Sequence, residues 1–383
     1  MKPNRLASVR GPHVGASGSG LAQRKLLSED LFFVRGISIC LVVLVHVLGL
    51  GAHQGLRALF QAEAPRLRTV AQFIDVFNMA VMFIGSGAAW RAFGRHQPSV
   101  IAFFGKRLEK LVTPLLIWLP VLMVVESVTK GRPLTFAGVF GGLIDPDQAS
   151  IFWFIHALLW CTFLAWALRR CVRRVEWLFP LALIGHLLAR RFLPASYLDF
   201  VLYWFCYFSF GVVLQPALPR VRAWLEARGR PGLFAPALLF AVLVALYRLA
   251  PEADARQGLR PLAAPAAFFL QLTLAITVGD LLRRAARARP ARAFLVQCGS
   301  VSMALYLFHI YFVSGSRLAL SKLFHAQSLT LHLALGWALG LGGPWLLWRT
   351  LRNNRLFLVS VGMAREERRD GPPVAAPLCP QPA

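Results

Sequence analysis

The chain has 383 residues, of which 57% are hydrophobic and only 15% are charged, whereas soluble domains average about 45–50% and about 25%. Ordinary soluble cores cannot bury such an excess, so the composition excludes a soluble enzyme, a disordered regulator and a disulfide-stapled secreted domain. The formal net charge of +25 comes from short basic clusters between apolar runs, a pattern typical of membrane topology and not of nucleic-acid binding.

The two ends of the chain differ in composition from its middle. Residues 1–29 are rich in Gly, Ser and Arg and lack apolar periodicity, which predicts a disordered cytoplasmic arm. The apolar run that follows contains Arg35 and has no convincing cleavage site after it, so we interpret it as an uncleaved first span. Residues 351–383 are expected to form a cytoplasmic, largely disordered tail that becomes Pro-rich after residue 364.

Between these ends, residues 30–350 contain about ten apolar runs near the roughly 20 residues that cross a bilayer. They predict an all-α fold, a polytopic membrane helical bundle. The fifth run is short, and the approximate limits are 31–51, 70–90, 111–129, 151–168, 176–189, 197–215, 233–250, 262–282, 294–316 and 329–348.

The basic residues orient these spans. If the N-terminus is cytoplasmic, 29 of the 42 Lys and Arg residues lie in inner segments and each inner segment outscores its outer neighbours. The positive-inside rule therefore predicts a multi-pass protein with both termini cytoplasmic. We expect its membrane to be the inner (plasma) membrane.

The first span carries two ionisable side chains, each costing about 2.5–3.5 kcal/mol at a span centre. Arg35 and His46 are eleven residues apart, which puts them within about 20° of one helix face and about 16.5 Å apart along the axis. This spacing indicates a polar interior with a cation near the cytoplasmic side and a deeper imidazole. Alternatively, Arg35 reaches the lipid interface and His46 makes a structural hydrogen bond.

The stretches around the next two spans are less specific. Residues 83–87, Phe-Ile-Gly-Ser-Gly, are more typical of close helix packing than of a site. Residues 103–111 form a basic segment in which Arg107 and Lys110, three apart, could converge on an anion such as a phosphate. The alternative is that these two cations only fix the topology.

The ninth span combines a hydroxyl, a phenol and an imidazole. Ser302 and His309 are seven residues apart and lie within about 20° of one face, with Tyr306 about 40° from Ser302. This stripe suits proton handling or recognition of a hydroxyl group, and hydrogen bonding between helices is the alternative.

Several expected signatures are missing. No spacing indicates a metal site, and the six cysteines form no Cys-x-x-Cys pair, so we interpret them as small buried hydrophobes. The carboxylates Asp75, Glu126, Asp199 and Asp280 all lie near span ends. A proton-coupled transporter would usually need a carboxylate at a span centre, which disfavours that class.

The motifs together resemble the acyltransferase 3 family of multi-pass membrane O-acyltransferases. The family's Asp-x4-Arg-Gly opening with a later His resembles residues 30–46, and its Ser-x3-Tyr-Leu-x-His helix resembles residues 302–309. Its second-span, basic and Trp-Phe motifs resemble residues 77–87, 107–110 and 153–154. The chain departs from the family at three positions, where Asn78 replaces His, Ala80 replaces Pro and Lys110 replaces Arg.

The resemblance implies transfer of an acyl group, commonly acetyl from acetyl-CoA, to a hydroxyl of a sugar, surface glycan or glycosylated metabolite. In that chemistry His46 would be the general base, or would carry a transient acyl group, and Arg35 would orient the donor or stabilise negative charge. Arg107 and Lys110 would bind the phosphates of acyl-CoA, and Ser302, Tyr306 and His309 would bind substrate. The expected partners are the lipid bilayer, acyl-CoA and a carbohydrate or glycosylated acceptor, with no metal and no nucleic acid.

Two other classes stay open at this point. One is a multi-pass transporter or flippase of a polar lipid or glycan, and the other is a non-catalytic partner in an envelope assembly. The absence of a midspan carboxylate disfavours the first, and the intact Arg35, His46, Tyr306 and His309 disfavour the second.

Overall fold

The computed structural model describes residues 16–51, 54–93, 99–131, 133–249, 253–284 and 289–363. Helices account for every regular element within these ranges, and none of these residues forms a strand. Because several of these helices are also long and apolar, the predicted all-α polytopic membrane bundle is confirmed.

The α-helices are numbered in chain order. The first eight are α1 (Ala16–Leu48), α2 (Ala64–Asp75), α3 (Asn78–Phe93), α4 (Val100–Arg107), α5 (Thr113–Lys130), α6 (Phe136–Ile144), α7 (Trp153–Cys171) and α8 (Leu178–Phe192). The rest are α9 (Tyr197–Leu214), α10 (Leu218–Arg228), α11 (Phe234–Leu249), α12 (Ala253–Arg284), α13 (Arg289–Ser300), α14 (Ser302–Leu318), α15 (Leu329–Leu351) and α16 (Arg355–Ser360).

Seven helical stretches in the described ranges are long and apolar enough to cross a membrane. They are Lys25–Leu48, Ala64–Ala92, Phe103–Val128, Ser150–Cys171, Tyr197–Arg228, Leu262–Gly279 and Ser302–Leu323. The remaining predicted spans correspond to α8, α11 and α15, of 15, 16 and 23 residues. Because α8 and α11 are shorter than the usual span of about 20 residues, the count of ten stays a prediction.

Helix α1 begins earlier than the sequence predicted. Residues 16–29 are helical, so this part of the expected disordered arm is instead a continuation of the first span. The strong helix formers of residues 21–27 favour this extension, Leu27 is buried, and Glu29 pairs with Arg292 at 2.9 Å. Residues 1–15 of the predicted arm lie outside the described residues.

The expected C-terminal tail is also partly structured. Helix α16 packs against α5, where the Trp118 indole Nε1–H donates to the carbonyl oxygen of Ser360 at 3.0 Å. Phe357 of α16 stacks on Phe308 of α14, with 6.0 Å between ring centroids. Residues 364–383, the Pro-rich part of the predicted tail, lie outside the described residues.

Glycines bring two helix pairs into close contact around the centre of the bundle. A Cβ at Gly36 of α1 would lie 1.9 Å from the carbonyl oxygen of Leu295 in α13, and a Cβ at Gly87 of α3 would lie 1.9 Å from that of Phe208 in α9. No side chain fits at either distance, so these positions require glycine. The interpretation of residues 83–87 as a packing patch is confirmed at Gly87.

A buried ion pair fixes the N-terminal half of α1. The Asp30 carboxylate accepts a hydrogen bond from the Arg222 guanidinium of α10, and the two residues are only 1% and 6% exposed. Arg222 also contacts Glu226 at 2.8 Å. Arg222 therefore holds α10 against α1. Breaking such a buried pair costs about 3–5 kcal/mol.

Candidate active site

Two contacts between α1 and α14 bring together four of the predicted site residues. The Arg35 guanidinium donates to the Ser302 hydroxyl at 2.7 Å, and the rings of His46 and His309 lie 4.9 Å apart. We call Arg35, His46, Ser302 and His309 the polar seam. Helical rise places His309 about 10.5 Å from Ser302 along α14, and His46 about 16.5 Å from Arg35 along α1.

Backbone contacts define the protonation of His309. Its Nδ1 lies 2.8 Å from the carbonyl oxygen of Tyr306 and 3.2 Å from that of Leu305. Carbonyl oxygens only accept, so Nδ1 carries a proton, and in the neutral ring Nε2 is the nitrogen with the lone pair. That Nε2 is buried and has no hydrogen-bond partner among the described residues. His309 is therefore oriented by backbone contacts of its own helix, with its ring beside that of His46.

A cavity of about 90 Å³ opens beside His46. Its polar and aromatic wall consists of His46, Asp75, Asn78, Trp153 and Tyr306, and the other lining residues are apolar. A small apolar cavity with a few polar groups is typical of a ligand site.

Tyr306 lines this cavity but its hydroxyl group is engaged. The phenol O–H donates to the carbonyl oxygen of Ile151, in the turn that precedes α7. The neighbouring Ser150 has a φ of +52°, an uncommon conformation for a non-glycine residue that is found preferentially at functional sites. Tyr306 therefore holds a strained turn against the cavity, and only its oxygen lone pairs are left to contact a ligand.

Sequence reasoning missed Asp75 and Asn78 as site residues. The apolar stretch Ala64–Ala92 is broken, because α2 ends at Asp75, α3 begins at Asn78 and a turn lies between them. The break puts both side chains in the cavity wall instead of at a span end. Two polar residues three apart inside an apolar run were the available signal.

Trp153, the first residue of α7, also lies in the cavity wall. Its indole packs against Trp204 with 5.0 Å between ring centroids. The ring therefore belongs to an aromatic cluster that encloses the site.

The basic segment lies far from this cavity. Arg107 is half-buried, with its guanidinium 5.6 Å from the Phe103 ring centroid, and Phe103 stacks on Trp166 at 5.0 Å. Trp166 is thirteen residues beyond Trp153 in α7, which places the two tryptophans about 19.5 Å apart along that helix. The structure thus puts Arg107 toward the opposite end of α7 from the cavity.

The geometry between Arg107 and Lys110 is not α-helical. Helix α4 ends at Arg107 and residues Leu108–Val112 form a π-helical turn, a rare element that is frequent at functional sites. Lys110 is exposed, and its backbone packs against Gly362, which has a φ of +70°. The expected convergence of the two cations assumed α-helical spacing, so it loses that support here.

One family model, described as an acyltransferase domain, matches residues 29–349 of this chain. The chain belongs to the acyltransferase 3 family. The match covers all four residues of the polar seam, the cavity wall and the basic segment, and the predicted family is confirmed. Comparison with curated proteins and with solved structures gives no match.

Proposed function

We propose that this membrane acyltransferase moves an acyl group, acetyl from acetyl-CoA, to a hydroxyl of a sugar, surface glycan or glycosylated metabolite. One observation carries the proposal. In a chain of the acyltransferase 3 family, the His46 and His309 rings lie 4.9 Å apart and His46 lines a small cavity. An imidazole that lines a cavity suits proton transfer, because a neutral imidazole accepts a proton near neutral pH.

The proposed reaction uses His46 as the general base. As the acceptor oxygen bonds to the thioester carbonyl carbon, its proton passes to His46, and the carbon–sulfur bond then breaks. The CoA sulfur leaves as a thiolate or takes the proton back from imidazolium. In this proposal His309 supports the step, because its ring lies 4.9 Å from that of His46. The alternative is direct acylation of His46, which mass spectrometry of enzyme mixed with acetyl-CoA alone would detect.

Arg35 has a different role from His46 in this proposal. Its guanidinium contacts Ser302, about 10.5 Å along α14 from His309. That distance disfavours stabilisation of negative charge on a carbonyl next to His46. We assign Arg35 and Ser302 to orienting the donor on its path toward the histidines.

The two ends of the bundle suit a long donor. The phosphates of CoA lie at one end of the molecule and its sulfur lies at the other, beyond the pantetheine arm. With the phosphates at Arg107 and Lys110 and the sulfur near His46, the donor would span the separation of about 19.5 Å that helical rise gives between Trp166 and Trp153 of α7. Arg107 would supply the geometrically specific contact, since guanidinium binds phosphate through two parallel hydrogen bonds.

The orientation that goes with this assignment is cytoplasmic for the basic segment and both termini. A cysteine introduced as Arg173→Cys, in a Cys171→Ser background that removes an exposed native thiol, should resist an impermeant maleimide in intact cells. It should react after the membrane is permeabilised. Labelling in intact cells would contradict the orientation and the count of ten spans.

The activity itself is tested with detergent-purified protein. We expect release of free CoA from acetyl-CoA to rise when a panel of methyl glycosides is supplied as acceptors, and we expect acetylated glycoside by mass spectrometry. His46→Ala should abolish both signals. Glycoside flux across vesicles without any acetylation would favour the transporter instead.

A further inference from the structure

The turn between α2 and α3 places two oxygen-bearing side chains beside His46. Asp75 closes α2, Asn78 opens α3, and both line the same cavity of about 90 Å³ as the imidazole. Neither residue is needed to explain proton transfer by His46.

The hydrogen bonding of Asn78 shows which of its amide atoms has no partner. Its Nδ2 donates to the carbonyl oxygen of Ser38 at 3.1 Å, so Oδ1 is the acceptor that remains. Asn78 is only 2% exposed, and Oδ1 has no hydrogen-bond partner among the described residues. A buried amide oxygen without a donor is destabilising. Its retention in a cavity wall points to a ligand that supplies the donor.

The chemistry of the wall specifies that ligand. Asp75 and Asn78 both offer oxygen atoms that accept, and an alcohol donates a single proton from each hydroxyl group. The two residues are therefore matched to a ligand with more than one hydroxyl group. The Trp153 ring in the same wall offers a flat apolar surface for the C–H face of such a ligand.

We propose that Asp75 and Asn78 bind hydroxyl groups next to the one that is acylated, so that the site selects polyhydroxylated acceptors over simple alcohols. The proposal rests on the proposed function, because the reacting hydroxyl is the one that faces His46. An acceptor that lacks the hydroxyl group facing Asn78 leaves the buried Oδ1 of Asn78 without a hydrogen-bond donor. A site that hydrogen-bonds a substrate hydroxyl group strongly disfavours an analogue that lacks this group.

The test compares each methyl glycoside with its monodeoxy analogues, using acetyl-CoA as donor. For the wild type, removal of a hydroxyl next to the acylated position should lower kcat/KM about 10- to 100-fold, as expected for a buried hydrogen bond to a charged group. Asp75→Ala and Asn78→Ala should lower kcat/KM for the full glycoside and leave the matching deoxy analogue unchanged. Asp75→Asn keeps the shape of the side chain, so it should lower kcat/KM for the full glycoside less than Asp75→Ala does.

Two controls separate the subsite from other effects. Asp147→Asn changes an exposed acid outside the cavity wall and should leave the ratio between glycoside and deoxy analogue as in the wild type. If Asp75→Ala instead slows both acceptors by the same factor, Asp75 acts on His46 or on folding, and the subsite is refuted.

Binding measurements distinguish failure of the subsite from failure of the proposed function. Equilibrium dialysis of a radiolabelled methyl glycoside needs no acyl transfer. Binding by the wild type that is lost in Asp75→Ala supports the subsite even if no glycoside is acetylated, in which case the transferase proposal fails alone. Acetylation without any preference for neighbouring hydroxyls refutes the subsite alone.

Discussion

The polar seam and the basic segment hold their charged and titratable groups in different ways. In the seam, each predicted catalytic residue contacts a polar side chain of another helix, at 2.7 Å for Arg35 and at 4.9 Å between imidazole rings for His46. In the basic segment, Arg107 lies over an aromatic ring and Lys110 is exposed on a π-helical turn. A side chain fixed by a partner helix keeps the geometry that a chemical reaction requires. An exposed cation suits the attraction of an anionic ligand.

The comparison predicts its largest effect at His46. His46→Ala should lower acyl transfer per folded protein by about 10²–10⁴-fold, the contribution of general base catalysis. His46→Gln should fail as well, since the amide can form hydrogen bonds but cannot take the proton. The measurement is initial CoA release normalised to folded protein by size-exclusion chromatography.

Other histidines sharpen this prediction. His325 is exposed and has a φ of +47°, which asparagine tolerates, so His325→Asn should behave as the wild type. His309→Ala should cost less than His46→Ala, because His309 supports the reacting imidazole. Near-native turnover by His46→Gln would end the general-base proposal and make His46 structural.

The second-largest loss of activity is expected at the Arg35–Ser302 end of the polar seam. Arg35→Ala should lower kcat/KM by about 10²-fold, as misplacement of a substrate by 1 Å can do. Ser302→Ala removes one hydrogen bond to a charged group and should cost about tenfold. Because the two side chains act through one contact, the double variant should be little worse than Arg35→Ala alone. Fully additive losses would show that the contact at 2.7 Å has no role in catalysis.

The residues of the polar seam were predictable from the sequence, because they follow from spacing along single helices. Arg35 and His46 share a face of one regular helix, and so do Ser302 and His309, and an ionisable side chain in a span must face other protein. What spacing could not give is which faces meet, since that depends on close approaches such as Gly36 against α13. The family resemblance assigned both faces to one site, but it did not give the contacts between them.

The misses have a common physical cause, which is irregular backbone. The break at residues 76–77 moved Asp75 and Asn78 from a span end into the cavity, and the π-helical turn changed the relation of Arg107 to Lys110. Patterns of 3.6 residues assume an uninterrupted helix. Such breaks depend on tertiary packing, for example of Gly362 against the backbone of Lys110, which a single sequence does not display.

The third effect concerns Arg107 and should appear in donor binding. Arg107→Ala removes a half-buried guanidinium, and we expect the apparent KM for acetyl-CoA to rise about tenfold, the size of one charge-assisted hydrogen bond. The KM for the acceptor should not change. With acetyl-dephospho-CoA, which lacks one phosphate, the difference in donor KM between Arg107→Ala and wild type should be smaller. An unchanged donor KM would reduce Arg107 to a determinant of topology.

The smallest effect is expected at Lys110. This residue gives the most direct test of the contrast between the polar seam and the basic segment. An exposed cation contributes only about 0.2–1 kcal/mol to an ion pair, so Lys110→Ala should raise the donor KM by about fivefold at most. The rise should fade at high salt, because exposed charges are screened, whereas that of Arg107→Ala should persist. Lys110→Arg restores the family's usual residue and should bind the donor at least as well as the wild type. If Lys110→Ala instead lowers kcat as strongly as Arg35→Ala does, the basic segment takes part in the chemistry, and the contrast between fixed and exposed cations does not hold.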